Sequence, residues 1–188
     1  PAPRSGLRTA NPRSAVTVEV RMKVFHGVPV KGSNPRLAPA CALTIGNFDG
    51  VHRGHQAMLA LLTNEARLRG VQSCVMVFEP HPRDYFAQHY QKPELAPARI
   101  ATLRDKLAAL RDCGIDQCIV LPFNATIANQ SPESFIRDTL VSALGVRYVL
   151  VGDDFRFGAK RAGDYTLLDS MGADLNFDVA RMMSYEVH

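Results

Sequence analysis

Short apolar segments that alternate with longer helical patterns restrict the fold of this chain more than any other feature of its sequence. A strand that is apolar at nearly every position must be covered on both faces. Parallel sheets with helices on both sides meet that requirement. The sequence therefore predicts an α/β fold, a Rossmann-like sandwich of about five parallel strands with helices on both faces. The strands are expected at residues 41–45, 74–78, 118–121, 148–151 and 177–182.

Four helices are predicted to separate these strands, at residues 55–69, 102–113, 131–144 and 165–171. Ser131 is expected to cap the third helix, with Pro132 in its first turn, and Gly70 is expected to end the first. Residues 80–97 form the longest predicted irregular stretch. An apolar stripe on the first helix is predicted from Met58, Leu61, Leu62, Ala66 and Leu68, and a solvated face on the second from Asp105, Lys106, Arg111 and Asp112.

The positive charge of the chain is concentrated in its first residues. The chain has 22 basic and 18 acidic residues, a net charge of +4, and its pI is 9.1. Residues 1–21 contain four arginines and one glutamate, which leaves the remainder nearly neutral, so no nucleic-acid partner is expected. These residues are expected to be a disordered or non-native leader before a natural start at Met22. Their composition alone would also allow an organellar transit peptide.

Cellular location and metal content follow from what the sequence lacks. No apolar run approaches the ~20 residues of a membrane-spanning helix, and the first residues contain no apolar secretion signal. The cysteines form no CxxC pair and have no histidine at zinc-finger spacing, so buried free thiols without zinc are expected. The four cysteines are Cys41, Cys74, Cys113 and Cys118. The sequence predicts a cytoplasmic protein with no membrane partner and no evident protein partner.

The strongest functional signal follows the first predicted strand, at the edge where open α/β sheets bind ligands. Glycines recur there at every fourth position and allow tight turns and a close approach of phosphate to the backbone. The next helix directs its free N–H groups and the positive end of its dipole towards the same space. His52 and His55 lie at the start of this helix, so both imidazoles are expected to reach one polyphosphate. The glycines are Gly46, Gly50 and Gly54, in the segment GNFDGVHRGH at residues 46–55.

A strand, an HxGH motif and a helix in this order resemble the signature of the HxGH nucleotidyltransferase superfamily and imply its fold. The whole segment GNFDGVHRGH resembles the adenylyltransferase module of the bifunctional riboflavin kinase/FAD synthetase family. An isolated HxGH would equally suit a helix start with capping histidines, but ten matching residues after a strand favour the family. The resemblance implies transfer of an adenylyl group from ATP to FMN, giving FAD and pyrophosphate, with Mg²⁺ accompanying ATP.

The same resemblance implies roles for individual residues. His52 and His55 would be the catalytic residues that stabilise negative charge on the phosphates. Protein ligands for Mg²⁺ are not identified. The implied contacts to ATP and its phosphates are Gly46, Asn47, Phe48, Asp49, Gly50, Gly54, Gly152, Asp153 and Asp154.

Further segments resemble the same family, including ATLRDKL at residues 101–107. FEPHPRDYF, residues 78–86, resembles its PHP loop, in which prolines stiffen a wall of the flavin site; a rigid proline turn is the alternative. VGDDFRFG, residues 151–158, resembles a motif after the fourth strand, and Asx-turn capping is the alternative for its aspartates. Two possibilities stay open for the basic residues 156, 160 and 161: at least one of them contacts phosphate, or all three are simply exposed to solvent. The implied flavin contacts are Pro80, His81, Pro82, Arg83, Tyr85 and Phe86.

Residues 22–188 are thus expected to form an FMN adenylyltransferase domain. The family continues with an ISSTxxR-like segment that holds the ATP phosphates and with a β-barrel riboflavin kinase domain, and neither occurs before residue 188. Two alternatives stay open. One is another HxGH nucleotidyltransferase that uses a pyridine mononucleotide, phosphopantetheine or an alcohol phosphate. The other is a non-catalytic nucleotide-binding fragment.

Overall fold

A computed structural model of the protein describes residues 21–30 and 32–183. The leader expected at residues 1–21 therefore lies, except for its last residue, outside the described residues. Six parallel strands form one sheet in the order β1-β4-β3-β2-β5-β6. The strands are β1 (Lys23–His26), β2 (Cys41–Ile45), β3 (Gln72–Phe78), β4 (Gln117–Leu121), β5 (Val146–Gly152) and β6 (Asp178–Met182).

Helices connect the strands in the described part of the chain. They are α1 (Arg53–Arg69), α2 (Pro82–His89), α3 (Leu103–Asp112), α4 (Ala125–Ala128), α5 and α6 (Tyr165–Leu175). The helix α5 begins at Pro132–Ser134, is capped by Ser131 as expected, and continues with π-helical hydrogen bonding over Phe135–Ala143. Short 3₁₀ turns occur at Pro93–Leu95 and Ala159–Arg161.

The edge strand β1 is the one strand that the apolar pattern does not predict. It has four residues, of which only Phe25 is buried, because among the described residues it pairs with β4 alone. A short, half-exposed edge strand has no continuous apolar run to reveal it. The other strands lie where they are expected, within two residues at each end, and the α/β class and the parallel sheet are confirmed.

The first helix is predicted correctly in position but not in the face it buries. It starts at Arg53, two residues earlier than expected, and its C-cap Gly70 has the left-handed conformation, with φ of 65°. Leu59 and Leu62 are fully buried, whereas Leu61 is 40% exposed and Leu68 is 71% exposed. The predicted stripe was therefore wrong at Leu61 and Leu68, since it was drawn too wide around the helix.

Residues 80–97 contain a helix that the sequence interpretation missed. Pro82 stands in the first turn of α2, where a backbone N–H has no helical partner in any case. His81 precedes it as the N-cap. The expectation of a long irregular stretch was wrong because a proline in the first turn starts a helix rather than interrupting it.

Apolar side chains pack on both faces of the sheet, as expected. On one face the sheet contacts α5 and α6, and the fully buried residues there include Ile136 and Leu168. On the other face it contacts α1 and α3, through Leu62 and Leu110 among others. The two apolar layers hold the six strands in a fixed register, which in turn fixes the positions of the loops at their carboxyl ends.

The four cysteines are free. Cys41, Cys74 and Cys118 are buried in the sheet as expected, and Cys113 at the end of α3 is partly exposed. Burial raises the pKa of Cys118 to about 12, so that thiol stays protonated at neutral pH. Among the described residues, no helix is both long enough and apolar enough to cross a membrane.

The order of the strands creates a crevice at the centre of the sheet. From β2 the chain adds β3 and β4 on one side and then crosses over to add β5 and β6 on the other. In doubly wound sheets, ligands bind at such a reversal, outside the carboxyl ends of the strands. The segment after β2 is consequently flanked by the segment after β3 on one side and by the segment after β5 on the other.

Candidate active site

The first histidine of the HxGH motif caps the helix α1. The ring atom Nδ1 of His52 accepts hydrogen bonds from the backbone N–H groups of Gly54 at 3.2 Å and His55 at 3.4 Å. Because Nδ1 is an acceptor, the proton of the neutral ring resides on Nε2, which is left as a donor on this exposed residue. A Cβ atom at Gly54 would lie 3.1 Å from the His52 ring, so the glycine between the two histidines makes room for the cap.

The second histidine of the motif is half-buried and stacks on the first. The centroids of the His52 and His55 rings are 3.8 Å apart, and Phe48 flanks His55 at 5.0 Å. Burial, with a smaller effect of the nearby His52, lowers the pKa of His55 from 6.5 to about 4. Its Nδ1 is buried without a hydrogen-bond partner among the described residues. The two imidazoles are thus together, and the lowered pKa of His55 favours a neutral ring there at physiological pH.

The loop between β2 and α1 places its polar groups in different environments. The Phe48 side chain is only 2% exposed and packs into the core, so only its backbone is available to a ligand. The Oδ1 atom of Asn47 is buried and has no hydrogen-bond partner among the described residues. Buried polar atoms without partners are rare in proteins and indicate a place for a ligand or water. Asn47 and His55 both supply such an atom within one motif.

Asp49 is engaged by the protein itself. Its carboxylate accepts hydrogen bonds from the backbone N–H groups of Ile100 at 3.1 Å and Ala101 at 2.9 Å. The Ile100 hydrogen bond is the largest cause that lowers the pKa of Asp49, and the Ala101 bond adds to it. The sequence assigns Asp49 to the ATP phosphates, but a carboxylate held this way orders the 100–101 backbone, and its charge would repel phosphate.

The segment after β5 lies beside the segment after β2. The two strands pair in parallel with Thr44 opposite Leu150, so Gly46 and Gly152 leave the sheet at the same level. The chain turns at once, and the Phe155 N–H donates to the Gly152 carbonyl at 3.3 Å. Asp153 and Asp154 are exposed in this turn, next to the predicted phosphate site, and the basic residues Arg156, Lys160 and Arg161 are also exposed.

The segment after β3 lies on the opposite side and begins the helix α2. Nδ1 of His81 accepts the Arg83 N–H at 3.0 Å, so this helix also starts with a histidine cap. Burial lowers the pKa of His81 in spite of the nearby Asp84, which favours a neutral ring with a donor at Nε2. Pro80 and Arg83 are exposed at the start of the helix, and Pro82 is partly buried in its first turn.

Aromatic rings form a cluster between α2 and the carboxyl ends of β3 and β4. Phe123 is its centre and lies in edge-to-face contact with Phe78 at 5.6 Å, Tyr85 at 5.4 Å and Phe86 at 5.8 Å. Tyr85 and Phe86 are the rings that the sequence assigns to flavin, and the structure brings them together. Phe123 was missed, although it follows β4 at the same sheet edge, and that position was the signal that could have found it.

The buried Lys106 was also missed. This residue was expected on a solvated helix face, but it is only 7% exposed. Burial lowers the pKa of its ammonium group, and the carboxylates of Glu79 and Asp49 partly counteract that effect. The expectation was wrong because helical periodicity does not reveal charged groups contributed by other elements.

Similarity to known proteins identifies the family of this chain. The family model described as FAD synthetase matches residues 34–188. The bifunctional riboflavin kinase/FMN adenylyltransferase of Escherichia coli strain K12 is 43% identical over 164 residues, which are 87% of this chain and 50% of that protein. The protein of the same description from Pseudomonas fluorescens is 45% identical over 147 residues, which are 78% of this chain and 45% of that protein.

A solved structure described as a macrolide-efflux protein from Streptococcus pneumoniae superimposes with a TM-score of 0.68 at 19% identity, over 89% of this chain and 53% of that one. At that identity the likeness concerns the fold alone. The chain spans about half the length of the curated relatives it matches. Since the family model covers most of the chain and both relatives exceed 40% identity, the protein belongs to the FAD synthetase family.

Proposed function

We propose that the chain carries an FMN adenylyltransferase site, at which ATP and FMN give FAD and pyrophosphate. The stacked pair of His52 and His55 at the start of α1, with ring centroids 3.8 Å apart, is the observation that carries the proposal. It lies at the sheet reversal between β2 and β5, where this class of fold binds ligands. Orphaned buried atoms on His55 and Asn47 add polar groups that a bound nucleotide would satisfy.

The reaction transfers an adenylyl group in one displacement. A phosphate oxygen of FMN forms a bond to the α-phosphorus of ATP, and the bond from that phosphorus to the bridging oxygen of pyrophosphate breaks. Charge stabilisation and positioning are then the tasks of the protein. His52 donates from Nε2 to a phosphate oxygen, since its Nδ1 is used by the helix. An anionic phosphate beside His55 raises the pKa of that ring and favours its protonated, doubly donating form.

The two substrates are assigned to the two sides of the histidine pair. On the β5 side, the exposed turn after the strand and the glycine loop after β2 receive ATP. On the β3 side, the start of α2 and its aromatic cluster receive the isoalloxazine ring of FMN. The ATP side is assigned Gly46, Asn47, Gly50, Gly54, Gly152, Asp153 and Asp154, and the flavin side Pro80, His81, Pro82, Arg83, Tyr85 and Phe86.

The residues present fit a magnesium ion that arrives with ATP. Among the described residues, no group of three or more histidine, cysteine or acidic side chains is arranged to hold a metal ion. Mg²⁺ usually keeps several water molecules and binds through one or two carboxylates plus substrate phosphates. The exposed carboxylate of Asp154 suits that role, whereas Asp49 is occupied by backbone N–H groups. When bound, the ion neutralises charge on the β- and γ-phosphates.

Incubation of the chain with ATP, Mg²⁺ and FMN, followed by chromatography, tests the proposal, and FAD is the expected product. Riboflavin in place of FMN is the matched control, because it lacks the phosphate oxygen that attacks ATP. Nicotinamide mononucleotide and phosphopantetheine test the rival nucleotidyltransferases. Turnover of either one in place of FMN would contradict the substrate assignment. Binding of ATP and FMN without any FAD would indicate a non-catalytic nucleotide-binding module.

A further inference from the structure

Residues 99–101, here called the strap, link the two halves of the candidate site. At one end the Arg99 guanidinium donates to Glu79 at 3.0 Å and to Asp84, with its Nε–H 2.8 Å from the carboxylate. At the other end the backbone N–H groups of Ile100 and Ala101 donate to the carboxylate of Asp49. Glu79 and Asp84 flank the proline-rich start of α2, and Asp49 belongs to the glycine loop after β2. The strap therefore spans from the flavin side to the phosphate side.

The strap presents an apolar side chain to solvent at this position. Ile100 is 81% exposed, although the backbone N–H groups of Ile100 and Ala101 are both fixed by Asp49. Its side chain lies over Gly50, where an added Cβ atom would come within 3.0 Å of Ile100 Cγ2. Gly50 has φ of 63°, so this close approach and the turn both favour glycine. Single exposed apolar residues are common, but this one is held directly over the signature loop.

We propose that Ile100 forms an apolar wall against which the isoalloxazine ring of FMN packs, and that Asp49 is the positioning residue that holds it there. The inference rests on the proposed function. The flavin is the expected occupant rather than adenine because the strap is tied to Glu79 and Asp84, on the α2 side of the glycine loop. The turn after β5, assigned to ATP, lies on the other side of β2.

The apolar surface of Ile100 that the flavin ring would bury sets the size of the expected effect on FMN binding. Removal of three carbon atoms by the substitution Ile100→Ala is expected to weaken FMN binding about tenfold. The loss of affinity for ATP is expected to be smaller than the loss for FMN, because the turn after β5 that is assigned to ATP lies on the other side of β2. Leu68→Ala is the matched control, since Leu68 is also exposed, at 71%, but lies near the far end of α1.

The experiment measures the dissociation constant of FMN by quenching of its fluorescence, and that of ATP by calorimetry, for the wild-type chain and each variant. A tenfold loss for FMN in Ile100→Ala, with no loss in Leu68→Ala, supports the proposal. Equal FMN affinity in Ile100→Ala overturns it while the proposed function stands, as does a larger loss for ATP than for FMN. Wild-type protein that binds ATP but not FMN overturns the proposed function as well.

A double-mutant cycle tests the positioning role of Asp49. In Asp49→Ala the two N–H groups of the strap lose their acceptor, so Ile100 is released and FMN binding weakens. If Asp49 acts through Ile100, the double variant Asp49→Ala/Ile100→Ala loses no more affinity for FMN than Ile100→Ala alone. Additive losses would assign Asp49 a separate contact with substrate and refute the positioning role. Thermal unfolding of all variants identifies any that fail to fold, and Asp49→Asn, which keeps one acceptor oxygen, then replaces Asp49→Ala in the cycle.

Discussion

His52 combines two roles that a pair of substitutions can separate. Its Nδ1 caps α1 and its Nε2–H is the proposed donor to phosphate. Asparagine is among the best N-cap residues, so His52→Asn keeps the cap and removes the imidazole donor. His52→Ala removes both. The two variants are expected to lose catalysis to the same extent but to differ in stability.

The size of each effect follows from the geometry. The two cap bonds are long, at 3.2 and 3.4 Å, and lie at an exposed residue, so the cap is expected to contribute about 0.5–1 kcal/mol, the lower part of the usual range. His52→Ala should then lower the melting temperature by about 1–4 °C, since ~1 kcal/mol corresponds to ~2–4 °C in a domain of this size. Loss of one donor to a developing negative charge costs ~10²–10³ in kcat.

Thermal unfolding and the rate of FAD formation are measured for the wild type and both variants. Ser131→Ala is the capping control, because Ser131 Oγ accepts the Ser134 N–H at 3.1 Å at the start of α5. It should lose stability without loss of kcat. A His52→Asn variant with wild-type kcat would show that the imidazole does no more than cap the helix. A raised KM at unchanged kcat would assign it to ground-state binding.

Two further outcomes are expected. His55 should titrate in an NMR pH series with a pKa of about 4. The free energy of unfolding should then fall as the pH drops from about 6.5 towards 4, because the unfolded chain binds the proton before the folded chain does. A titration of His55 near 6.5 would instead show that the ring is well solvated. Gly145→Ala should lower the free energy of unfolding by well over the ~1 kcal/mol expected of Gly70→Ala. Both residues have positive φ, but only at Gly145 would the new Cβ overlap a backbone oxygen, that of Pro39. Equal losses for the two variants in urea unfolding would refute this reasoning.

The parts of the fold that the sequence predicts are those whose signal is local. Strands β2 and β5 are continuous apolar runs, and Gly70 ends α1 because a left-handed residue there favours glycine. The edge strand β1 lacks that run because, within the part of the chain that the structure describes, it pairs with β4 alone. The start of α2 at Pro82 is not predicted, because the sequence does not distinguish a proline in the first turn of a helix from a proline in a loop.

The parts of the candidate site that the sequence missed depend on contacts between distant elements. The pairing of Asp49 with the backbone at residues 100 and 101 spans more than fifty positions, and no short motif contains both partners. Lys106 has the spacing of a surface residue on α3 and is nevertheless buried, with the carboxylates of Glu79 and Asp49 nearby. Burial of a cation is expensive unless opposite charges compensate it, and those charges come from two other loops of the same sheet edge.

The three glycines of the segment 46–55 are required by packing within the protein itself, before any ligand binds. The space that a Cβ atom would need is taken by the Phe48 ring at Gly46, by Ile100 at Gly50 and by the His52 ring at Gly54. The four-residue spacing therefore seats a core anchor, the strap and the helix cap against a single segment of ten residues. A phosphate that approaches this segment closely uses the room that remains after those three side chains are seated. The motif is specific because it must satisfy the packing of its own side chains and the geometry of the substrate at once.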